Sequence, residues 1–281
     1  MRALSLGYSP SPNDTHIFHA LAHSLIPDAP AFDPVLRDIE TLNHFAVDQA
    51  LDVVKVSFHA LGLVRKQYGL LHSGGAMGRA CGPLLVARKQ VRPEQLRGLE
   101  IAIPGRLTSA ALLTRLFDPA LRNLSVLPYH EIMPAVQEGT VAAGVIIHDS
   151  RLTFPEYGLQ MVVDLGGGWE EATGHPIPLA GIAVRRDLDR ALIERVESAV
   201  GDSVSRARKN RAKTRAYVRQ LAPQMPDEVI EAQIDLYVND YTSNYGAVGE
   251  AAIREILERA EASGIVDRCD LPLFALDEDR S

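Results

Sequence analysis

Cysteine is almost missing: Cys81 and Cys269 are the only two in 281 residues, and they form no Cys-x-x-Cys pair. That excludes a zinc knuckle, an iron–sulfur site and a disulfide framework, and it fits a reducing compartment. Long apolar runs are missing too. No uncharged stretch approaches the roughly 18 residues of a membrane-spanning helix. The N-terminus passes at once into Gly, Pro, Asn and Asp, without the apolar run of roughly 7–15 residues that a secretory leader carries. The expectation is a cytoplasmic protein with no membrane partner. Basic charge is in deficit, with 29 Lys plus Arg against 36 Asp plus Glu and a net charge of −7. No broad positive field faces a phosphate backbone, so nucleic acid is not an expected partner. One Arg or Lys in a cleft can still hold a carboxylate whatever the total charge.

What remains is ordinary globular composition, 46% hydrophobic and 23% charged, which leaves no place for disorder, collagen or coiled coil. The length suits two domains or one large one. Short β-branched runs alternate with helical spacing at residues 3–8, 14–25, 33–39, 41–49 and 52–57. The rhythm continues at 82–88, 100–103, 108–117, 124–129, 132–138 and 142–147. This order predicts an α/β fold with parallel or mixed sheets covered by helices. After about residue 187 the pattern is helical, over 188–209, 212–221, 227–238 and 248–263, with no convincing strand, and the acidic tail 277–281 is expected to fray. Two apolar runs each closed by Arg, 83–88 and 179–185, bracket a complete α/β rhythm. They read as strands leaving and re-entering a first, larger lobe of residues 1–87 and 183–281, with residues 88–182 inserted as a second lobe. A ligand cleft between the lobes follows.

Four segments could carry chemistry there. Ser9-Pro10-Ser11-Pro12-Asn13-Asp14-Thr15 leaves the first strand and opens the first helix. It reads either as a rigid turn capped by Asn13 or Asp14, or as a loop whose Ser9, Ser11 and backbone N–H groups face the cleft. In Lys55-Val56-Ser57 alternate residues share a strand face, so Lys55 and Ser57 could hold a carboxylate; a solvated edge is the plainer alternative. Thr108 and Ser109 follow a Gly turn and could offer hydroxyls and N–H groups to an anion, although N-capping alone explains Thr108. His148 ends an apolar strand whose walls could keep the imidazole neutral and basic, against the alternative of a structural histidine.

Other signals carry less. His16, His19 and His23 share a helix face, but without His-Glu-x-x-His a metal is not expected. Residues 73–78 match no nucleotide-binding loop and read as flexible. Residues 166–171 read as a loop entering a helix, with Trp169 either a lid or structural, and 237–243 as a helix end used in packing.

Taken jointly, the 9–15 loop, Glu40-Thr41-Leu42-Asn43, Lys55-Val56-Ser57, Ser73-Gly74-Gly75-Ala76-Met77-Gly78-Arg79 and Ile146-Ile147-His148-Asp149-Ser150-Arg151 resemble the 1,4-dihydroxy-6-naphthoate synthase family of the futalosine route to menaquinone. Further matches at 154–159, 163–166, 169–171 and 237–239 extend the resemblance over nearly the whole chain. It implies a periplasmic-binding-protein-like fold of type II, used by a carbon–carbon lyase on cyclic dehypoxanthinyl futalosine. The products would be 1,4-dihydroxy-6-naphthoate and dihydroxyacetone. The family's base falls on His148, and its substrate contacts on Lys55, Val56, Ser57, Thr108 and Ser109. Ser9, Ser11, Asn13 and Asn43 in the matching motifs join them as substrate-binding candidates. No cofactor or metal is implied; the expected partner is a small carboxylate substrate, and the expected state a monomer or homodimer. Ser11 stands where the family pattern has Cys, Ser109 replaces a second Thr, and His175 has no assigned role.

Three other readings compete. The sister enzyme chorismate dehydratase would also use an anion-holding cleft, but the His-Asp-Ser-Arg segment favours the synthase. A noncatalytic binding module would be expected to carry an export leader, and a ligand-sensing regulator would need room for a helix-turn-helix before the first strand.

Overall fold

The computed structural model describes residues 2–277; Met1 and the end of the acidic tail, 278–281, lie outside the described residues. The first half of the rhythm becomes β1 (Leu4–Tyr8), α1 (Pro12–Ala22), β2 (Phe32–Leu36), α2 (Ile39–Val47), β3 (Val53–Ser57), α3 (Phe58–Val64), β4 (Tyr68–Leu70) and β5 (Ala76–Gly78). Next come β6 (Leu84–Ala87), β7 (Ile101–Ile103), α4 (Ser109–Phe117), β8 (Leu124–Val126), α5 (Tyr129–Glu138), β9 (Ala143–Ile146), α6 (Ser150–Thr153), β10 (Gln160–Asp164), α7 (Leu165–Thr173) and β11 (Ile177–Arg185). The last third is helical: α8 (Arg190–Lys209), α9 (Arg215–Leu221), α10 (Asp227–Tyr237), α11 (Asp240–Ser243) and α12 (Gly246–Ala262).

These strands build two mixed sheets. One runs β2-β1-β3-β11-β4, with β5 also on β11; β1 is parallel to β2 and β3, and β11 is antiparallel to its neighbours. The other runs β10-β6-β9-β7-β8, with β7 parallel to β8 and β9 and with β6 antiparallel to β9 and β10. Helices on both faces explain why β3, Val-Val-Lys-Val-Ser, is buried at every residue rather than at alternate ones. One face of the first sheet packs Leu6, Tyr8, Val53 and Ile182 against Phe18 of α1 and Val196 and Val200 of α8. On its other face Val54 and Val56 meet Phe58, Ile253 and Ile256, and this core runs on into the second sheet through Leu85, Ile101 and Val145.

Several expectations change. The strand read at 82–88 is β6, which lies wholly in the second sheet, while all of β11 lies in the first. The chain therefore crosses between sheets after Gly78 and before Ile177, not at 87 and 183. Every pairing of β6 is with β9 and β10, and every pairing of β11 is with β3, β4 and β5, so neither strand is itself the crossing. The 73–78 segment is not a loose loop, because Ala76–Gly78 pairs with β11. The glycines at 166–168 belong to α7, and Trp169 is buried with Nε1 donating to the Pro176 carbonyl at 3.1 Å and Arg259 lying 5.5 Å above the ring. It is structural. Neither Asn13 nor Asp14 caps α1; the N-cap is Ser11.

Two predictions concern this framework. At one crossing Gly82 touches Gly166, and a Cβ on Gly82 would sit 2.4 Å from the Gly166 Cα, against backbone that cannot swing aside. Gly82→Ala should cost about 1–3 kcal/mol of stability, read from urea unfolding. Burial also holds His16 and His59 far below the ordinary histidine value, each at about 4. Below pH 6.5 the unfolded chain binds protons that the fold refuses, so stability is complete above 6.5 and falls as pH drops toward 4. His16→Asn and His59→Asn should each flatten that decline in denaturant midpoints measured across this range.

Candidate active site

A cleft of about 600 Å³, its open mouth included, gathers residues from both sheets: Ser9, Asn13, Asp14, Lys55, Ser57 and Ala76 from one side, and Thr108, Ser109, Ile147 and His148 from the other. Ile39, Pro83, Leu179 and Ala180 supply apolar wall, with the Cys81 thiol and Tyr237 beside them. Burial pushes the Cys81 thiol up to about 12 and raises the Tyr237 phenol, so both stay protonated at neutral pH.

Three helices begin at this cleft, α1 after Ser11, α3 after Ser57 and α4 after Thr108. The first N–H groups of each have no acceptor within the helix and carry its positive end, so anionic or electron-rich groups are favoured between them. At α4 both hydroxyls are engaged within the protein. Thr108 Oγ1 donates to the Gly105 carbonyl at 2.8 Å and accepts from the Ala111 N–H at 3.2 Å. Ser109 Oγ donates to the Leu179 carbonyl at 2.5 Å and accepts from the Phe58 N–H at 3.0 Å. What is open at this corner is main chain: the Ser109 and Ala110 N–H groups have no acceptor among the described residues.

Ser57 is held by a pincer. Asn43 Oδ1 accepts from its N–H at 2.9 Å and Asn43 Nδ2 donates to its Oγ at 3.1 Å, which leaves the hydroxyl proton available to the cleft. Two residues earlier on the same strand, the Lys55 ammonium forms a buried ion pair with Asp14. Asp14 also accepts from Ser9 N–H at 3.2 Å, Ser9 Oγ at 2.7 Å and Asn13 Nδ2 at 2.9 Å. Because Ser9 Oγ donates to Asp14, the 2.5 Å contact between Ser9 and Ser11 has Ser11 as donor.

His148 follows the end of β9 with φ at +56°, a left-handed backbone that is uncommon for a residue with a Cβ. Its ring lies edge-on to Tyr129, centroids 5.4 Å apart. Neither ring nitrogen has a protein hydrogen-bond partner among the described residues, and the residue lines the cleft. Desolvation lowers its proton affinity below the ordinary histidine value. The nearby Lys55 acts in the same sense, while Asp149, Asp14 and Asp38 oppose it. The ring is a neutral imidazole at pH 7, a competent proton acceptor.

Of the residues expected from sequence, Ser9, Asn13, Lys55, Ser57, Thr108, Ser109 and His148 line this cleft together. Three do not. Val56 points the other way along its strand into the core, Ser11 stands behind Ser9, and Asn43 stands behind Ser57. The sequence reading gives three lining residues with polar groups no place in the cleft: Asp14, read as a helix cap, Tyr237, read as packing, and Cys81. A first-turn acid directly after a Ser-Pro loop was the available signal for Asp14, and none marked Tyr237. No cluster of three or more His, Cys, Asp or Glu able to hold a metal occurs among the described residues. On the helix face of His16, His19 and His23, His16 Nδ1 contacts Thr214 Oγ1 at 2.6 Å, while His19 and His23 pack on each other and on Tyr217.

Known proteins are similar to this chain along nearly its whole length. A 1,4-dihydroxy-6-naphthoate synthase of Thermus thermophilus is 44% identical over 274 residues, covering 98% of this chain and 100% of that protein. A Streptomyces coelicolor protein of the same name is 43% identical over 268 residues, with 94% of each covered. A crystal structure of an Archaeoglobus fulgidus protein superposes with a TM-score of 0.88 at 32% identity, over 94% of this chain and 98% of that one. The periplasmic aliphatic sulphonate binding protein SsuA of Escherichia coli reaches 0.65 at 14% identity, over 95% and 89%, which shows the periplasmic-binding-protein-like fold alone. The family model for menaquinone biosynthesis matches residues 4–262, and the chain belongs to that family.

Proposed function

We propose that this protein is a 1,4-dihydroxy-6-naphthoate synthase, a cofactor-independent carbon–carbon lyase that converts cyclic dehypoxanthinyl futalosine to 1,4-dihydroxy-6-naphthoate and dihydroxyacetone. The observation that carries the reading is His148: a neutral, unpartnered imidazole on the wall of a cleft lined by three helix N-termini. Its two curated relatives carry that enzyme's name.

The chemistry asks little of the protein. His148 takes the proton of a sugar hydroxyl, the adjacent carbon–carbon bond breaks in the retro-aldol sense, and formation of an aromatic ring supplies the thermodynamic drive. The site must position the substrate, accept one proton and stabilise developing negative charge. The open N–H groups of Ser109 and Ala110 hold the substrate carboxylate at the positive end of α4, while Ser57 and Lys55 face its oxygens. Thr108 and Ser109 act here through main chain and shape, because their hydroxyls already have partners. We take the sheets as two lobes, residues 2–78 with 177–277 and residues 84–164, that close over the substrate and exclude water. The enzyme works on a small molecule in the cytoplasm, as a monomer or homodimer.

The direct test is incubation of purified protein with the cyclic futalosine derivative and detection of the naphthoate chromophore. Binding without turnover would identify a solute-binding module, and consumption of chorismate would identify the sister dehydratase. Base catalysis contributes about 10²–10⁴-fold, so His148→Asn and His148→Ala should each lose at least roughly 100-fold in kcat with an unchanged circular dichroism spectrum. Near-normal turnover in both would remove His148 from the mechanism.

A further inference from the structure

Of the charged groups in the cleft, Asp14 has no role from sequence beyond that of a helix cap, yet it is the most heavily bonded of them. Its side chain is 1% exposed and both oxygens are occupied: Ser9 N–H and Oγ on one, Asn13 Nδ2 and the Lys55 ammonium on the other. The support extends outward. Asn13 must present its amide nitrogen to a carboxylate, so its carbonyl oxygen faces away and accepts from Gln233 Nε2 of α10 at 3.2 Å. Gln233 is fully buried, and its own carbonyl oxygen ends the chain without a partner among the described residues. A chain polarised in one direction and ended by an unsatisfied carbonyl costs stability. That cost falls on a device that fixes the place and orientation of one carboxylate.

We propose that Asp14 is a positioning residue of this site: its carboxylate locks the Lys55 ammonium in place and offsets that positive charge where it faces His148. The inference rests on the reading of His148 as base and gives that site its electrostatic setting. Without the countercharge, an ammonium on β3 would further disfavour a proton on the nearby imidazole and weaken it as an acceptor. Without the ammonium, the carboxylate keeps three donors, from Ser9 and Asn13, and acts on the imidazole alone. The other groups facing His148 are Asp149 next to it in sequence, Asp38 at the head of α2 and Tyr129 of α5, while Cys81 and Tyr237 line the same cleft. None of these pairs with Lys55 among the described residues.

The two members of the pair should therefore move His148 in opposite directions, which a merely structural contact would not do. The experiment is an NMR titration of the His148 ring carbon–proton signal in the full-length protein labelled with ¹³C-histidine, assigned by its loss in His148→Asn. The midpoint should fall in Asp14→Asn and rise in Lys55→Met. An unmoved midpoint in either variant, or a shift of the same sign in both, overturns the proposal. If Asp14→Asn does not fold, Lys55→Met alone decides by the presence or absence of the upward shift. No substrate enters this measurement, so the two readings fail separately. The acid limb of kcat/KM should follow the midpoints; midpoints that move as expected beside an acid limb that does not would uphold Asp14 and sink the assignment of His148 as base.

Discussion

A charged pair taken out of water governs the design of this cleft. Lys55 sits in the middle of a strand whose five residues are all buried, and Asp14 lies in the first turn of α1, also buried. Burying two ions costs several kcal/mol each, about as much as their attraction returns, and removing one partner costs about 3–5 kcal/mol. The pair therefore adds little net stability, but it ties β1, α1 and β3 to one geometry. Ser9, which leaves β1, bonds Asp14 through both its N–H and its hydroxyl, so the loop before α1 cannot drift without loosening the lysine.

A second set of ties joins the two sheets. Glu40 of α2 accepts from the Leu107 N–H at 3.1 Å with both oxygens, and Ser109 links the Phe58 amide to the Leu179 carbonyl. The N-terminal ends of α3 and α4 are thus fixed relative to each other by short bonds, not by packing alone. The N–H groups left open between them point into space bounded by Leu179, Ala180, Ala110 and Ile147. In such surroundings a partial positive charge is poorly screened, so two backbone amides and a helix end act more strongly on an anion than they would at the surface.

How far this was legible in the sequence depends on the reach of each signal. Strands such as β1, β3 and β9 and the C-terminal helices were visible because apolar periodicity is local. His148 was visible as a polar residue after an apolar strand, but its φ of +56° was not, since nothing beside it calls for a left-handed residue. Val56 shows the opposite limit. It stands in the family motif between Lys55 and Ser57, and strand alternation by itself turns it into the core. Asn43 and Ser57 are 14 positions apart, and their pincer depends on α2 crossing β3, which no spacing rule encodes. The sheet crossings were misplaced for a related reason: apolar runs closed by Arg mark a strand without marking which sheet it joins.

The fold is shared with SsuA at 14% identity, which separates what the architecture supplies from what this chain adds. Two sheets with helix N-termini converging on a cleft suffice to hold an anion, and nothing in that arrangement breaks a bond. What His148 adds to that architecture in this chain is an imidazole whose nitrogens have no protein hydrogen-bond partner among the described residues. A binding site gains by satisfying its polar groups within the protein, as Thr108 and Ser109 do. His148 instead stands half-buried, against Tyr129 and apolar wall, with its lone pair unclaimed and its proton affinity lowered by desolvation. Leaving an imidazole in that condition carries a cost in stability that binding alone does not require. On the proposed function it serves a purpose: a base whose lone pair is unclaimed breaks no protein hydrogen bond before it accepts a proton from a substrate.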